Sequence, residues 1–263
     1  MLRTLLRRRE AAAPAGAAAA VPPGTRVYAV GDIHGSAHLL DALLERIRAD
    51  AALPAEGADA PTRRVLVFLG DYVDRGLESP RVIDTLLAGP PPGFEQVCLM
   101  GNHEEAMIGF LEDIRIGPMW LRNGGGETLL SYGVTLPSDI PGANERMESA
   151  RLKLRERLPA PHRAFLLGLP LFHVEGDYLF VHAGVRPGKP LGDQHRNDLL
   201  WIREEFLRSN ADLGHVVVHG HTIAPAPQVR PNRIGIDTGA YATGVLTALV
   251  LEGTARRFIQ TGA

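Results

Sequence analysis

Cysteine is nearly absent from this chain. Cys98 is the only one in 263 residues, so no internal disulfide can form and the fold must rest on its packed core. Cys98 lies in the strand-like run EQVCLM (95–100) and reads as a small buried hydrophobe. A reducing, cytoplasmic setting fits that usage. A surplus of either charge is also missing. Lys and Arg number 28 against 30 Asp and Glu, a formal net charge of −2, which gives no global pull toward nucleic acid or an anionic membrane. No apolar run approaches the ~20 residues that span a bilayer. Internal repeats are absent, and no domain boundary follows residue 25. What is present is ordinary for a globular protein, 45% hydrophobic and 22% charged, with ample chain for a sizeable core.

The first 25 residues, MLRTLLRRREAAAPAGAAAAVPPGT, mix leucines with arginines and then run into alanines broken by Pro14, Gly16, Pro22 and Pro23. A signal peptide keeps its basic residues ahead of a leucine-rich stretch, and this segment does not. Residues 1–24 read as a disordered leader, with a surface-binding helix over 2–10 as the alternative. Residues 25–263 read as one catalytic domain.

From Arg26 apolar runs and helical patterns alternate. VYAV (27–30), VLVFLGD (65–71) and QVCLM (96–100) read as strands. The helix-spaced segments 38–50, 80–89 and 104–114 follow them in turn, which argues for an α/β domain. Residues 115–133 interrupt this rhythm with the triplet Gly124–Gly126 and read as a loop or lid beside the site. Residues 144–170 and 197–209 read as helical. LFHVEG and DYLFVHAG suggest an antiparallel pair turning at Gly176 and Asp177. HVVVHG, RIGID and LTALVLEG close the chain as strands. The expected architecture is a mixed sheet, or two packed sheets, with helices outside.

The chemistry gathers where strands end. The first three are followed by GDIHG (31–35), GDYVDRG (70–76) and GNHE (101–104). Loops at the carboxyl ends of strands in α/β sheets commonly hold ligands, and there Asp32, His34, Asp71 and Asn102 would meet. Two later strands add His182, in VHAG, and one histidine of HGHT, either His219 or His221. Carboxylate, imidazole and amide oxygen form a hard to borderline donor set suited to Mn²⁺, Fe or Zn²⁺. Six such groups exceed the needs of one tetrahedral ion and point to two ions bridged by a carboxylate. Such a pair can orient a water and lower its pKa. Each motif alone could be a capped turn, but the ordered set of five, each behind an apolar strand, is poorly explained by turn structure.

The set resembles the metallophosphoesterase, or calcineurin-like, superfamily, and GDxHG, GDxVDRG and GNHE are similar to its bacterial-type phosphoprotein phosphatase branch. The resemblance runs from about Val27 to the last strands. It implies two mixed β-sheets packed as a sandwich and flanked by helices. It implies Asp32 and His34 on a first divalent ion, Asp71 bridging, and Asn102, His182 and His221 on a second, with Mn²⁺ the leading ion. His219 is then left to packing. By the same likeness His103 donates a proton to the leaving oxygen, Asp74 orients His103, and Arg75 forks onto phosphoryl oxygens. A second phosphate-binding arginine is expected later in the chain, Arg203 first and Arg186 as the alternate. Tyr241 is expected to border the pocket, while His38, His162, His173, His195 and His215 are left to packing or surface.

The implied function is phosphoester hydrolysis with a phosphorylated protein or phosphorylated small molecule as partner. A serine/threonine-type protein phosphatase is the leading reading, since GDYVDRG and GNHE resemble that group. A dinucleoside tetraphosphate hydrolase is the rival; VHAG, GHT and IDTGAYATG (236–244) depart from the eukaryotic protein phosphatases. A catalytically silent binding module on this fold would have lost ligands, and every expected ligand is present. The sequence gives no reading of oligomeric state.

Overall fold

The computed structural model describes residues 18–53, 61–138 and 140–262. Its elements in chain order are β1 (Thr25–Val30), α1 (Ala37–Ala51), β2 (Arg63–Phe68), α2 (Ser79–Leu87), β3 (Phe94–Cys98) and α3 (Asn102–Glu112). Then come the short α4 (Gly117–Trp120) and α5 (Gly126–Ser131), α6 (Ala143–Arg157), α7 (Ala160–Gly168), β4 (Phe172–Glu175) and β5 (Tyr178–Val181). The chain closes with α8 (Arg196–Trp201), α9 (Glu204–Leu207), β6 (Val216–His219), β7 (Gln228–Val229), β8 (Arg233–Gly235), α10 (Ala240–Thr243), β9 (Thr247–Glu252) and β10 (Ala255–Gln260).

Two five-stranded mixed sheets result, ordered β10-β9-β1-β2-β3 and β4-β5-β6-β8-β7. Side-chain alternation decides what each face does. In β1, Val27 and Ala29 pack with Val65, Val67, Phe180, Val218 and Leu249 between the sheets. Tyr28 and Val30 point the other way, against Leu40, Leu43 and Ile47 of α1. Leu179, Val181 and Val217 carry the second sheet's outer face onto Leu199 and Phe206. Both faces are covered, which is why these strands read as continuous apolar runs. The expected sandwich with outer helices is the fold observed. No helix among the described residues is long and apolar enough to cross a membrane.

Several local readings are corrected. Residues 114–131 are helical almost throughout, with a 3₁₀ turn, α4, a π turn at Leu121–Gly125 and α5 in succession. Two of the three glycines, Gly124 and Gly125, serve close packing rather than looseness. Gly124, at φ 100°, lies against Arg75, and a side chain at Gly125 would collide with the Trp120 ring. The helix expected over 144–170 is two, divided at Leu158 and Pro159, and that over 197–209 breaks at Ile202 and Arg203. The third strand sits two residues early, because the Met100 amide leaves the sheet to donate to the Pro170 carbonyl. The Arg-rich edge strand β10 was not expected at all. The hairpin at Gly176 and Asp177 is present.

Of the leader expected over 1–24, residues 1–17 lie outside the described residues. Residues 18–24 belong to the packed body: Val21 is in the inter-sheet core and its amide donates to the Gly253 carbonyl, while Ala20 exchanges hydrogen bonds with Asp177. Pro22 and Pro23 disguised this contact in the sequence.

Candidate metal centre

The loops after β1, β2, β3, β5 and β6 converge at one end of the sandwich. Among the described residues five non-glycine positions have positive φ, His34 (48°), Asp71 (54°), Asp74 (73°), Arg75 (67°) and His221 (62°), and all five lie in these loops. Such backbone costs about 1–3 kcal/mol per residue and persists only where the surroundings enforce it. Here they do. The Ile33 and His34 amides donate to the Asp71 carbonyl, and Gly35 and Gly76 are pressed backbone to backbone. Glu104 is fully buried, and its carboxylate accepts the amides of Gly101, Asp71, Tyr72 and Val73 at 2.7–3.2 Å. The last residue of GNHE therefore clamps the DYV turn, a role the sequence reading did not assign.

Asp71 is the common member of two triads whose ligand atoms lie within 4.8 Å of one another, His34–Asp71–His103 and Asp71–His182–His221. Its Oδ2 is 3.5 Å from His34 Nε2, 3.7 Å from His103 Nε2 and 3.4 Å from His182 Nε2. Burial alone would raise its carboxyl pKa, but the imidazoles of His182, His103, His34 and His221 hold it below the usual carboxylate range. Asn102 Oδ1 is 2.8 Å from His182 Nε2. Asp32 belongs to neither triad. It is buried beside Asp71, its oxygens accept the His221 amide at 3.2 and 3.1 Å, and Gly220 lies so close that any side chain there would strike it.

The histidines show what the cluster requires. His34 Nδ1 is 2.9 Å from the Val73 carbonyl and His182 Nδ1 is 2.9 Å from the Leu69 carbonyl. A carbonyl can only accept, so Nδ1 carries the proton and Nε2 presents a lone pair inward. Burial pushes His34 down to about 3 and His221 down to about 2, and lowers His182, so these rings are neutral near pH 7. Lone pairs of His182 and the oxygens of Asn102 and Asp71 thus face one another with no donor between them. The Nε2 atoms of His34 and His221 are buried without a hydrogen bond. Converging acceptors with no proton to share suit cations.

Residue pattern alone left both histidines of HGHT open and the resemblance implied His221; the fold sets the two rings apart. His219 points away, stacking edge-on against Phe206 at 5.0 Å, with Nδ1 near the Gly220 carbonyl. His221, after the turn at Gly220, joins the cluster. His103 Nδ1 is 2.7 Å from Asp74 Oδ2, and Asp71 and Asp74 raise the His103 pKa against the lowering effect of burial. Asp74 also accepts Trp120 Nε1 at 2.9 Å and Thr128 Oγ1 at 2.7 Å, two partners from 114–131 whose contribution the sequence did not reveal. Arg75 Nη2 reaches to 3.3 Å from His103 Nε2, with its guanidinium 4.8 Å from the ring centre of the half-exposed Tyr241. Arg203 is exposed at the break between α8 and α9, 3.3 Å from Thr222 Oγ1, and its charge acts on His182 and His221. Arg186 is held by Asp198 at 2.7 and 3.0 Å and by Glu205. A cavity of about 740 Å³ along α6, lined by Glu148, Leu152 and Lys153 among others, contains none of these groups.

A family model for calcineurin-like phosphoesterases matches residues 25–242. The chain belongs to that family. Its members use a dinuclear divalent metal centre, and the donors assembled around Asp71 fit one. Among curated proteins, the chain is 25% identical over 240 residues to the asymmetrical bis(5'-nucleosyl)-tetraphosphatase PrpE of Anoxybacillus flavithermus, covering 84% of this chain and 88% of that one. It is 28% identical over 232 residues to serine/threonine-protein phosphatase 2 of Salmonella typhimurium, covering 84% and 90%. Among solved structures, a cold-active protein tyrosine phosphatase superposes with a TM-score of 0.53 at 17% identity, over 91% of this chain and 81% of that one. That likeness speaks for the fold alone.

Proposed function

We propose that this phosphoesterase hydrolyses phosphate monoesters of alcohols, with phosphoserine and phosphothreonine in proteins as the leading substrates. The observation that carries the reading is the His103–Asp74 pair. An alkoxide is a poor leaving group and needs a proton, whereas a nucleotide departing from a polyphosphate leaves as a stable anion. A buried imidazole whose charged form is favoured by two carboxylates is a proton donor built for the first case.

In this reading Asp32, His34 and Asp71 hold a first divalent ion, and Asp71, Asn102, His182 and His221 a second. The donors suit Mn²⁺, with Fe and Zn²⁺ as the other candidates. The ions, when bound, supply an activated water and neutralise charge on the phosphoryl group. Arg75 grips two phosphoryl oxygens, its planar fork steadied against Tyr241. Arg203 adds a second guanidinium from the opposite loop. His103 Nε2 delivers the proton to the departing oxygen, and Asp74 keeps the ring turned for it. Trp120 and Thr128 fix Asp74 in turn.

Similarity to PrpE supports the second reading, hydrolysis of a dinucleoside tetraphosphate. Purified protein with Mn²⁺ would be given a phosphoserine peptide, a phosphotyrosine peptide and diadenosine tetraphosphate at equal concentration. The highest kcat/KM is expected on the phosphoserine peptide. A much higher value on the dinucleotide would replace the first reading by the second, and no hydrolysis with any divalent ion would remove both.

A further inference from the structure

Asp237, in the loop after β8, is a buried carboxylate for which the mechanism above has no use. It is 3% exposed. Its Oδ1 accepts the Gly239 amide at 2.9 Å, an arrangement that needs Gly239 in its left-handed conformation (φ 68°). Its Oδ2 is buried with no hydrogen-bond partner. The chain is tightly fixed at this point. A side chain at Gly31 would lie 2.6 Å from the Ile236 carbonyl oxygen, and the Asp237 carbonyl accepts the Ala224 amide. The loop therefore rests directly on GDIHG, and the carboxylate stands beside Asp32.

The charges around it make that position unfavourable for a protein alone. Asp32 and Asp71 are its carboxylate neighbours, Asp32 within hydrogen-bonding reach, and the opposite charge of Arg75 acts on it. Two buried carboxylates side by side cannot both ionise without a compensating cation. A further asymmetry shows where a cation belongs. The assignments above give the second ion four protein donors, Asp71, Asn102, His182 and His221, and the first ion only three, Asp32, His34 and Asp71. The Asp237 side chain neighbours Asp32, a donor of the ion whose set is short.

We propose that Asp237 is a further anchoring residue for the first metal ion, its free Oδ2 completing the donor set that Asp32, His34 and Asp71 leave one short. The inference rests on the two-ion reading of the site and deepens it.

The test is metal binding to metal-free protein, independent of turnover. Wild type and Asp237→Asn would be titrated with Mn²⁺ by calorimetry, and the spin coupling between paired ions followed by electron paramagnetic resonance. The variant should lose about 10–100-fold in affinity at one site, keep the other, and show isolated rather than coupled Mn²⁺ at two equivalents. The rise in its melting temperature on adding Mn²⁺ should be smaller than the wild type's. Two unchanged affinities with a coupled signal would overturn the proposal. A lower metal-free melting temperature with unchanged affinities would assign Asp237 a purely structural role. Should Asp237→Asn not fold, Asp237→Ser, which also removes the carboxylate, carries the same titration, and full two-site binding by that variant would overturn the proposal. If wild type itself binds no pair of ions, the two-ion reading fails instead, so the two failures are distinct.

Discussion

Replacing Asp74 by asparagine isolates the proton-donor step. The carboxylate takes three donors, His103 Nδ1 and Thr128 Oγ1 at 2.7 Å each and Trp120 Nε1 at 2.9 Å. An amide cannot satisfy all three. With its nitrogen toward His103 it donates to Nδ1 and leaves a neutral ring; with its oxygen toward His103 it withdraws the negative charge that favours the imidazolium. Either way the acid weakens. General acid catalysis contributes about 10²–10⁴-fold, or roughly 3–5 kcal/mol of barrier at about 1.4 kcal/mol per decade. That loss falls only on leaving groups needing a proton. The assay therefore pairs a phosphoserine peptide with 4-nitrophenyl phosphate, whose phenolate leaves unaided. Asp74→Asn and His103→Asn should each lower kcat on the peptide by 10²-fold or more, about an order of magnitude beyond the loss on the aryl ester. Bound metal should be unchanged. Equal losses on both substrates would refute the proton-donor role, and metal lost in step with activity would make His103 a ligand.

Further outcomes are expected. Arg203→Ala should weaken inhibition by inorganic phosphate about tenfold, as loss of one charge-assisted contact implies, while Arg186→Ala, already neutralised by Asp198 and Glu205, should leave it unchanged; the reverse order would exchange their roles. Gly124→Ala forces a side chain to 2.7 Å from Arg75 Cγ at φ 100°; it should cost about 1–3 kcal/mol in urea unfolding and raise KM by displacing Arg75, and an unchanged protein would show that contact to be slack. His219 is neutral in the fold, held down to about 4 by burial from an ordinary 6.5. Between those values the unfolded chain binds the extra proton, so stability falls as pH drops from 6.5 toward 4, by at most about 1.4 kcal/mol per pH unit for this group. His219→Gln should flatten that slope in metal-free protein, and parallel slopes would contradict it.

What the sequence made legible was whatever depends on short-range pattern. Apolar runs buried on both faces announce strands, and glycines set beside carboxylates, an amide or histidines after them announce the loops that bind. Less legible was everything set by contact across the chain. Trp120 and Thr128 belong to a segment whose glycines suggest a loop, yet those glycines admit Arg75 and the Trp120 ring at distances no other residue permits. His219 and His221 are alike in sequence, and only the turn at Gly220 separates a packing ring from a cluster member. Glu104 reads as one more acidic residue at a helix start, though it organises four amides. Asp237 carries no local signal at all, because its importance comes from Asp32, 205 positions earlier in the numbering of the chain.

The unfavourable features of the site have a common remedy. Five strained backbones, inward lone pairs on His34 and His221, and the carboxylates Asp32, Asp71 and Asp237 gathered in one buried place all oppose folding when taken singly. A packed core can enforce such geometry, but it cannot neutralise the charge. Divalent cations do so, since they accept the lone pairs and offset the carboxylates at once. In the two-ion reading, metal binding and folding are therefore linked. At 100 times the dissociation constant a single ion adds about 2.7 kcal/mol of stability. Removing the ions should accordingly lower the melting temperature as well as abolish turnover, and the fall should be smaller at low pH, where protons compete for the same imidazoles and weaken metal binding.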